Sequence, residues 1–233
     1  MKKDQAVFYF SLRSPYSWLA WRDLRASDPA RLAGLELVPF WEPDQAHAAE
    51  LGEQGQAFLY APMSREKHLY ILSDVRTLAS ERGLSIKWPV DAAPRWEVAH
   101  HAFFVAHQHG KAHDFIDAVC SARWQQGLDI SDPGVVASIA ARLGLPAQEA
   151  ARAHQDPARR AQGRAALERC VNDGVFGVPF FVSKRDKFWG LDRLPRFLLA
   201  REAVAAQQIV IGIDPLGQQP AHRAIFDHAG GCG

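Results

Sequence analysis

The chain has 233 residues, 48% of them hydrophobic, and a formal net charge of +1. That suffices for a globular core and lacks the basic stripe or cationic tail that nucleic acid or an anionic membrane surface selects. Lys2 and Lys3 are followed by Asp4 and an apolar run of about five residues, shorter than a secretory h-region of roughly 7–15, and no segment approaches the roughly 18 apolar residues of a membrane span.

In chain order, Ala6 to Phe10 reads as a strand that runs into Ser14-Pro15-Tyr16-Ser17. Trp18, Leu19, Trp21 and Leu24 follow at helical spacing. Ser14 suits an N-cap and Pro15 a first turn. Leu35 to Trp41 reads as a second strand, which Pro39 pushes toward an edge or an end. From Ala46 to Asn172 the pattern is helical and no strand is expected. The clearest helix follows Ser131-Asp132-Pro133, with Val135, Val136, Ile139, Ala140 and Leu143 on one face and Gly144 closing it. His113 to Gln126 and Pro157 to Asn172 are of the same kind. Strand chemistry returns at Val175 to Ser183, turns at Lys184-Arg185-Asp186, and resumes at Lys187 to Gly190. A last helix is expected from about Asp192 to Ala205, before an apolar hexapeptide, Ile209 to Asp214, and a glycine-rich tail holding Cys232.

The order β-α-β, helical block, β-β-α is the thioredoxin arrangement, an α/β fold, with a large helical insertion between its halves. The expected division is a discontinuous thioredoxin-like unit of residues 1–60 and 171–210, an inserted helical unit of 61–170 and a C-terminal extension of 211–233. Cys120, Cys170 and Cys232 form neither a C-x-x-C pair nor a metal-ligand rhythm, so a reducing cytoplasm is the expected location. Among ten histidines, His100 and His101 are adjacent and so point apart, as do His107 and His109 in alternation, and no metal site is expected.

The segments "FYFSLRSPYSWLA", "GVFGVPFFV" and "KFWGLDRLPRF", in this order and spacing, resemble the kappa-class glutathione transferases and 2-hydroxychromene-2-carboxylate isomerases, relatives of the thiol oxidase DsbA. "REKHLYILSDVRTLASERGLSIKWP" resembles that family's Lys-x-x-Tyr-x-x-x-Asp helix, and the likeness spans residues 6 to 205. It implies glutathione as cofactor. Thiol oxidoreductases place a cysteine thiolate at this helix N-terminus; here Ser14 would instead donate a hydrogen bond to the glutathione sulfur, with Tyr16 beside it. Lowering a thiol of pKa about 8.5 by about two units takes roughly 2.7 kcal/mol, within reach of one charge-assisted hydrogen bond and a helix terminus. A plain N-cap is the alternative for Ser14, and the two roles coexist. Ser17, one turn deeper, is expected to face inward or bond backbone.

By the same resemblance Val178 would pair with the cysteinyl backbone of glutathione and Pro179 would be cis, whereas an X-Pro bond taken alone reads as trans. Leu191 and Asp192 would hold the γ-glutamyl carboxylate and ammonium, although Asp192 also reads as an N-cap. Lys67 would steer an anionic substrate or is simply solvated. Trp41 and Trp189 would flank an aromatic substrate or belong to the core. The chain departs from the family where a Gly-Asn pair contacts glutathione: Asn172 is its one asparagine, and Gln54 or Gln56 is the candidate replacement. The resulting expectation is a homodimeric, glutathione-dependent isomerase of a conjugated substrate. A kappa-like transferase or a non-catalytic glutathione-binding module is the alternative.

Overall fold

The computed structural model describes residues 5–27, 29–60 and 63–212, with side chains to residue 204. Lys2, Lys3, Asp4, Cys232 and most of the expected C-terminal extension lie outside the described residues. β1 (Val7–Phe10) leads into α1 (Pro15–Ala26), and β2 (Glu36–Pro39) returns parallel to β1, Val7 facing Glu36 and Phe10 facing Pro39. Seven helices follow among the described residues: α2 (Gln45–Glu53), α3 (Arg65–Glu81), α4 (Glu97–Gln108), α5 (Ala112–Trp124), α6 (Pro133–Arg142), α7 (Ala147–Arg152) and α8 (Pro157–Asn172). β3 (Phe180–Ser183) then pairs antiparallel with β1 and with β4 (Asp186–Trp189), and α9 (Leu194–Gly212) closes the described chain. The sheet order is β2-β1-β3-β4, so Pro39 sits at the end of an edge strand, where its missing N–H costs no ladder bond.

The opening run is apolar throughout because both faces of β1 are covered. Phe8 and Phe10 point toward α1 and α9: Phe8 stacks on Phe181 at 4.8 Å and on Trp21 at 6.4 Å, and Phe181 stacks on Phe197 of α9 at 4.8 Å. Val7 and Tyr9 point the other way, into a cluster with Val38, Phe40 and Phe180 that α8 covers through Ala166 and Cys170. Each fully buried ring contributes about 1.5–3 kcal/mol. β1 is thereby fixed in place, and its C-terminal loop delivers the start of α1.

The helical block carries the caps that its sequence promises. Asp132 Oδ1 accepts from the Gly134 N–H at 2.7 Å, and Val136, Ile139 and Ala140 of α6 are buried. α8 occupies the span read from its sequence. Two expectations need correction. Val175 to Val178 precede β3 as a loop, since Pro179 lacks an N–H to extend the ladder. The last helix begins at Leu194, after a 3₁₀ turn over Leu191–Arg193, and runs beyond Ala205 to Gly212, taking in the start of the apolar hexapeptide. No glycine or proline interrupts residues 196–211, so nothing stops the helix earlier.

Candidate active site

Ser14 takes an extended conformation (φ −93°, ψ 120°), and its Oγ accepts from the Ser17 N–H at 3.2 Å, the N-cap bond of α1. Its carbonyl accepts from Trp18 N at 3.0 Å, and its N–H donates to the Ser11 carbonyl at 3.1 Å. The lone pair that caps the helix leaves the hydroxyl proton available for an outside acceptor. Ser17 is buried, and its Oγ accepts from the Ser11 N–H at 3.2 Å. The two serines thus divide the work: one stands half-buried at the mouth, the other pins the loop from inside.

The Val178–Pro179 peptide is cis, and neither the N–H nor the C=O of Val178 is bonded to a described residue. Gly190 ties this loop to the next, donating its N–H to the Pro179 carbonyl at 3.0 Å. At Gly190 φ is +107°, and a side chain would run into the Asp192 carboxylate, so the position requires glycine. Tyr16, Val178, Pro179, Trp189, Leu191 and Asp192 together line a cleft of about 920 Å³. Its far wall is Tyr70, Asp74 and Leu78 of α3 and Arg82 at the C-cap of that helix, with Leu198 and Leu199 of α9. The Tyr16 hydroxyl donates to Asp74 Oδ2 at 2.6 Å; burial, and then this bond, raise its pKa and keep it protonated. Asp192 is exposed, paired with Arg193 at 3.0 Å, and caps no helix.

Other expected site residues lie elsewhere. Lys67 is exposed on the first turn of α3, one turn before Tyr70, and does not line the cleft. Trp41 is fully buried, which removes it from the substrate wall: its ring stacks on His100 at 5.2 Å and meets His101 edge-on at 5.3 Å. Gln54 and Gln56 donate to Glu168 and Asn172 of α8, and neither lines the cleft. Tyr70 and Asp74 were legible in the Lys-x-x-Tyr-x-x-x-Asp motif, but nothing in the sequence gave them a role in the cleft wall.

Behind the mouth lies a buried layer that the sequence reading missed. His100 Nε2 accepts from the Leu12 N–H at 3.1 Å and lies 3.2 Å from Ser11 Oγ, while Nδ1 donates to the Trp96 carbonyl at 2.6 Å. Burial lowers its pKa to about 3, so the neutral ring supports the β1–α1 loop from within. Asp44, His47 and Glu97 bring possible ligand atoms within 4.8 Å of one another. The Asp44 carboxylate is already held by Arg160 at 2.9 and 3.2 Å and by the His47 N–H at 2.9 Å. Burial alone would raise Asp44, but these donors outweigh it and hold the carboxyl at about 2. Burial raises Glu97. Cys120 and Cys170 are free and fully buried, with thiol pKa values raised by burial, and neither borders the cleft.

A profile of the DSBA-like thioredoxin domain matches residues 5–200. A 2-hydroxychromene-2-carboxylate isomerase of Sphingobium xenophagum is 30% identical over 193 residues, covering 80% of this chain and 92% of that protein. The fold matches a solved 2-hydroxychromene-2-carboxylate isomerase with a TM-score of 0.68 at 20% identity, over 88% of this chain and 98% of the other. It also matches the cytosolic disulfide reductase DsbM of Pseudomonas aeruginosa, solved with GSH, with a TM-score of 0.56 at 16% identity over 88% and 99%. No described helix is long and apolar enough to cross a membrane.

Proposed function

The chain belongs to the DSBA-like thioredoxin domain family, and from that premise we propose that it is a glutathione-dependent isomerase acting on a conjugated substrate of the 2-hydroxychromene-2-carboxylate type. The observation that carries the reading is Ser14 at the N-cap of α1, its hydroxyl proton uncommitted, where a thiol oxidase would hold its own cysteine. A serine cannot form a disulfide, and the described cysteines are buried away from the cleft. What survives is a site for a thiolate carried by another molecule: a positive helix end with a hydroxyl donor.

The residues fit glutathione. Val178 offers a free backbone donor and acceptor to the cysteinyl residue, in the manner of an added strand. Leu191 and Asp192, at the same cleft, offer the γ-glutamyl group a 3₁₀-turn N-terminus for its carboxylate and a carboxylate for its ammonium. Bound glutathione supplies a nucleophilic sulfur that adds reversibly to a conjugated carbonyl compound, so that a former double bond can turn before the sulfur leaves. Ser14 does not itself line the cleft but lies two residues before Tyr16, which does; from that helix end it would steady the anionic sulfur, while the Tyr16–Asp74 bond fixes the cleft wall. Trp189, exposed at the cleft edge, offers a face for an aromatic ring.

The reading places the protein in a reducing cytoplasm as a homodimer, the latter to be checked by sedimentation velocity. The decisive experiment incubates the protein with glutathione and 2-hydroxychromene-2-carboxylate, following substrate geometry and free thiol together. Isomerisation with the thiol conserved is the expected result. Stoichiometric thiol loss assigns the protein as a conjugating transferase, and absence of both refutes catalysis of this kind.

A further inference from the structure

We infer that Arg13 binds a carboxylate at the helix mouth and that this is the glycyl carboxylate of glutathione, an inference that rests on the glutathione site proposed above. Arg13 directly precedes Ser14. Its guanidinium carbon lies 5.1 Å from the ring centroid of Tyr60 and 5.2 Å from that of Trp96, and Nη1 donates to Glu42 Oε2 at 2.6 Å. Trp96 carries a second guanidinium, Arg123, at 5.0 Å, which has its own carboxylate in Asp91. A solvated arginine wanders among rotamers; one held by two rings and a carboxylate has already lost that freedom, so its remaining donors engage a ligand at low entropic cost. Those donors exist: Nε and Nη2 bond to no described residue, and the side chain keeps 20% of its exposure. A guanidinium has five N–H groups, and one carboxylate oxygen on Nη1 leaves an edge for a second anion.

Direction selects the glycyl end. In the sheet order β2-β1-β3-β4, Leu191 and Asp192 follow β4 and lie beyond one edge, and Glu42 follows β2 and lies beyond the other. The Arg13 that Glu42 holds therefore stands on the β2 side of the mouth. A tripeptide paired with Val178 as an added strand sends its two arms in opposite directions. With the γ-glutamyl arm in the cleft, the glycyl arm leaves past the β1–α1 loop and the residues that follow β2, where Arg13 is anchored. Arg13 supplies a fixed cationic donor on that side.

The test is calorimetric titration of the full chain, wild type, Arg13→Lys and Arg13→Met, with glutathione and with its glycyl ethyl ester. Esterification is expected to weaken wild-type binding about tenfold and to cost the Met variant less than about twofold, with Lys between them because it keeps the charge and loses the fork. Equal wild-type affinity for acid and ester overturns the inference, as does a full ester penalty in Arg13→Met. If Arg13→Met fails to fold, the wild-type comparison and Arg13→Lys decide: an undiminished penalty in Lys overturns it. A companion measurement compares KM for acceptors with and without a carboxylate; discrimination lost there, with the ester penalty intact, transfers the residue to the acceptor and overturns the assignment. Wild type that binds no glutathione brings down the proposed function as well, whereas tight binding indifferent to esterification brings down this inference alone.

Discussion

Removing the Ser14 hydroxyl tests the capping role that the structure shows against the sulfur-steadying role proposed for the same atom. Its Oγ accepts the Ser17 N–H at 3.2 Å, so Ser14→Ala loses the cap of α1 and about 1 kcal/mol of stability. The same oxygen carries the proton that would steady the glutathione sulfur. A hydrogen bond to a charged group contributes about 1.5–3 kcal/mol, and the lower figure suits a half-buried mouth. At about 1.36 kcal/mol per pKa unit, the bound thiol should rise by about one unit. If wild type holds it near 6.5, the thiolate fraction at neutrality falls from about three-quarters to about one-quarter.

Ser14→Gly isolates the second role, because glycine caps a helix within a few tenths of a kcal/mol of serine yet has no hydroxyl. The assay is ultraviolet titration of bound glutathione thiolate against pH for wild type and both variants, with urea unfolding of each in parallel. Both variants should show the raised pKa, and Ala should show the larger loss of stability. An unchanged thiolate titration in Ser14→Gly, with or without a shift in Ser14→Ala, would refute the reasoning, since it leaves capping as the whole of the serine's function.

Asp192→Asn should weaken glutathione binding about fivefold, a modest effect because the carboxylate is exposed, and N-acetylglutathione should bind wild type and variant alike. A variant that still prefers the free amine argues against Asp192 as its partner. Gly163→Ala would gain about 1 kcal/mol of helix propensity in α8, but its methyl would meet His101 Nε2 well inside contact distance. His101 cannot retreat, held by its bond to the Glu97 carbonyl at 2.8 Å and by the rings of Trp41 and His47, so a net loss of about 1–2 kcal/mol is expected in chemical denaturation. A more stable variant contradicts this packing. For acid, burial lowers His100 to about 3 and His101 to about 4, against about 6.5 unfolded. The unfolded chain therefore takes up both protons first: stability is intact above about pH 6.5 and declines as pH falls toward 4, by up to ~1.4 kcal/mol per unit for each ring. Asp44, depressed to about 2, adds a further loss below about pH 4. A urea midpoint that stays flat from about pH 7 to about pH 5 would show that the two rings are not buried neutral.

The fold was legible wherever local pattern and burial agree. β1 reads as an unbroken apolar run because both of its faces are covered, and α6 and α8 announce themselves by an aspartate cap followed by proline. Val178, Pro179, Leu191 and Asp192 were legible as cleft residues only through the family resemblance: taken alone, Val178–Pro179 reads as trans and Asp192 as a helix cap, and Ser14, a cap serine on either reading, does not itself line the cleft. What the sequence did not disclose depends on contacts between distant segments. Trp41 carries the same side chain as Trp189, yet one is sealed between histidines of α4 and the other is half exposed beside the cleft. His100 and His101, expected to point apart, both meet Trp41, one on its face and the other edge-on, and which of them supports the β1–α1 loop follows only from α4 packing beneath that loop.

Arg13 belongs to the same class of hidden information. Beside Ser14 in the sequence it is one more charged loop residue, and Tyr60, Trp96 and Glu42 are scattered over more than fifty positions. The fold converts them into one anchored cation, because β2 brings Glu42 to the mouth, the α2–α3 connection brings Tyr60 and the start of α4 brings Trp96. Under the assignment proposed for Arg13, one glutathione contact would rest on residues from separate segments that no local motif joins. Acceptor preference should instead follow residues that line the cleft, such as Trp189 and Leu199, because Ser14 and Arg13 are proposed to hold the same glutathione for every acceptor.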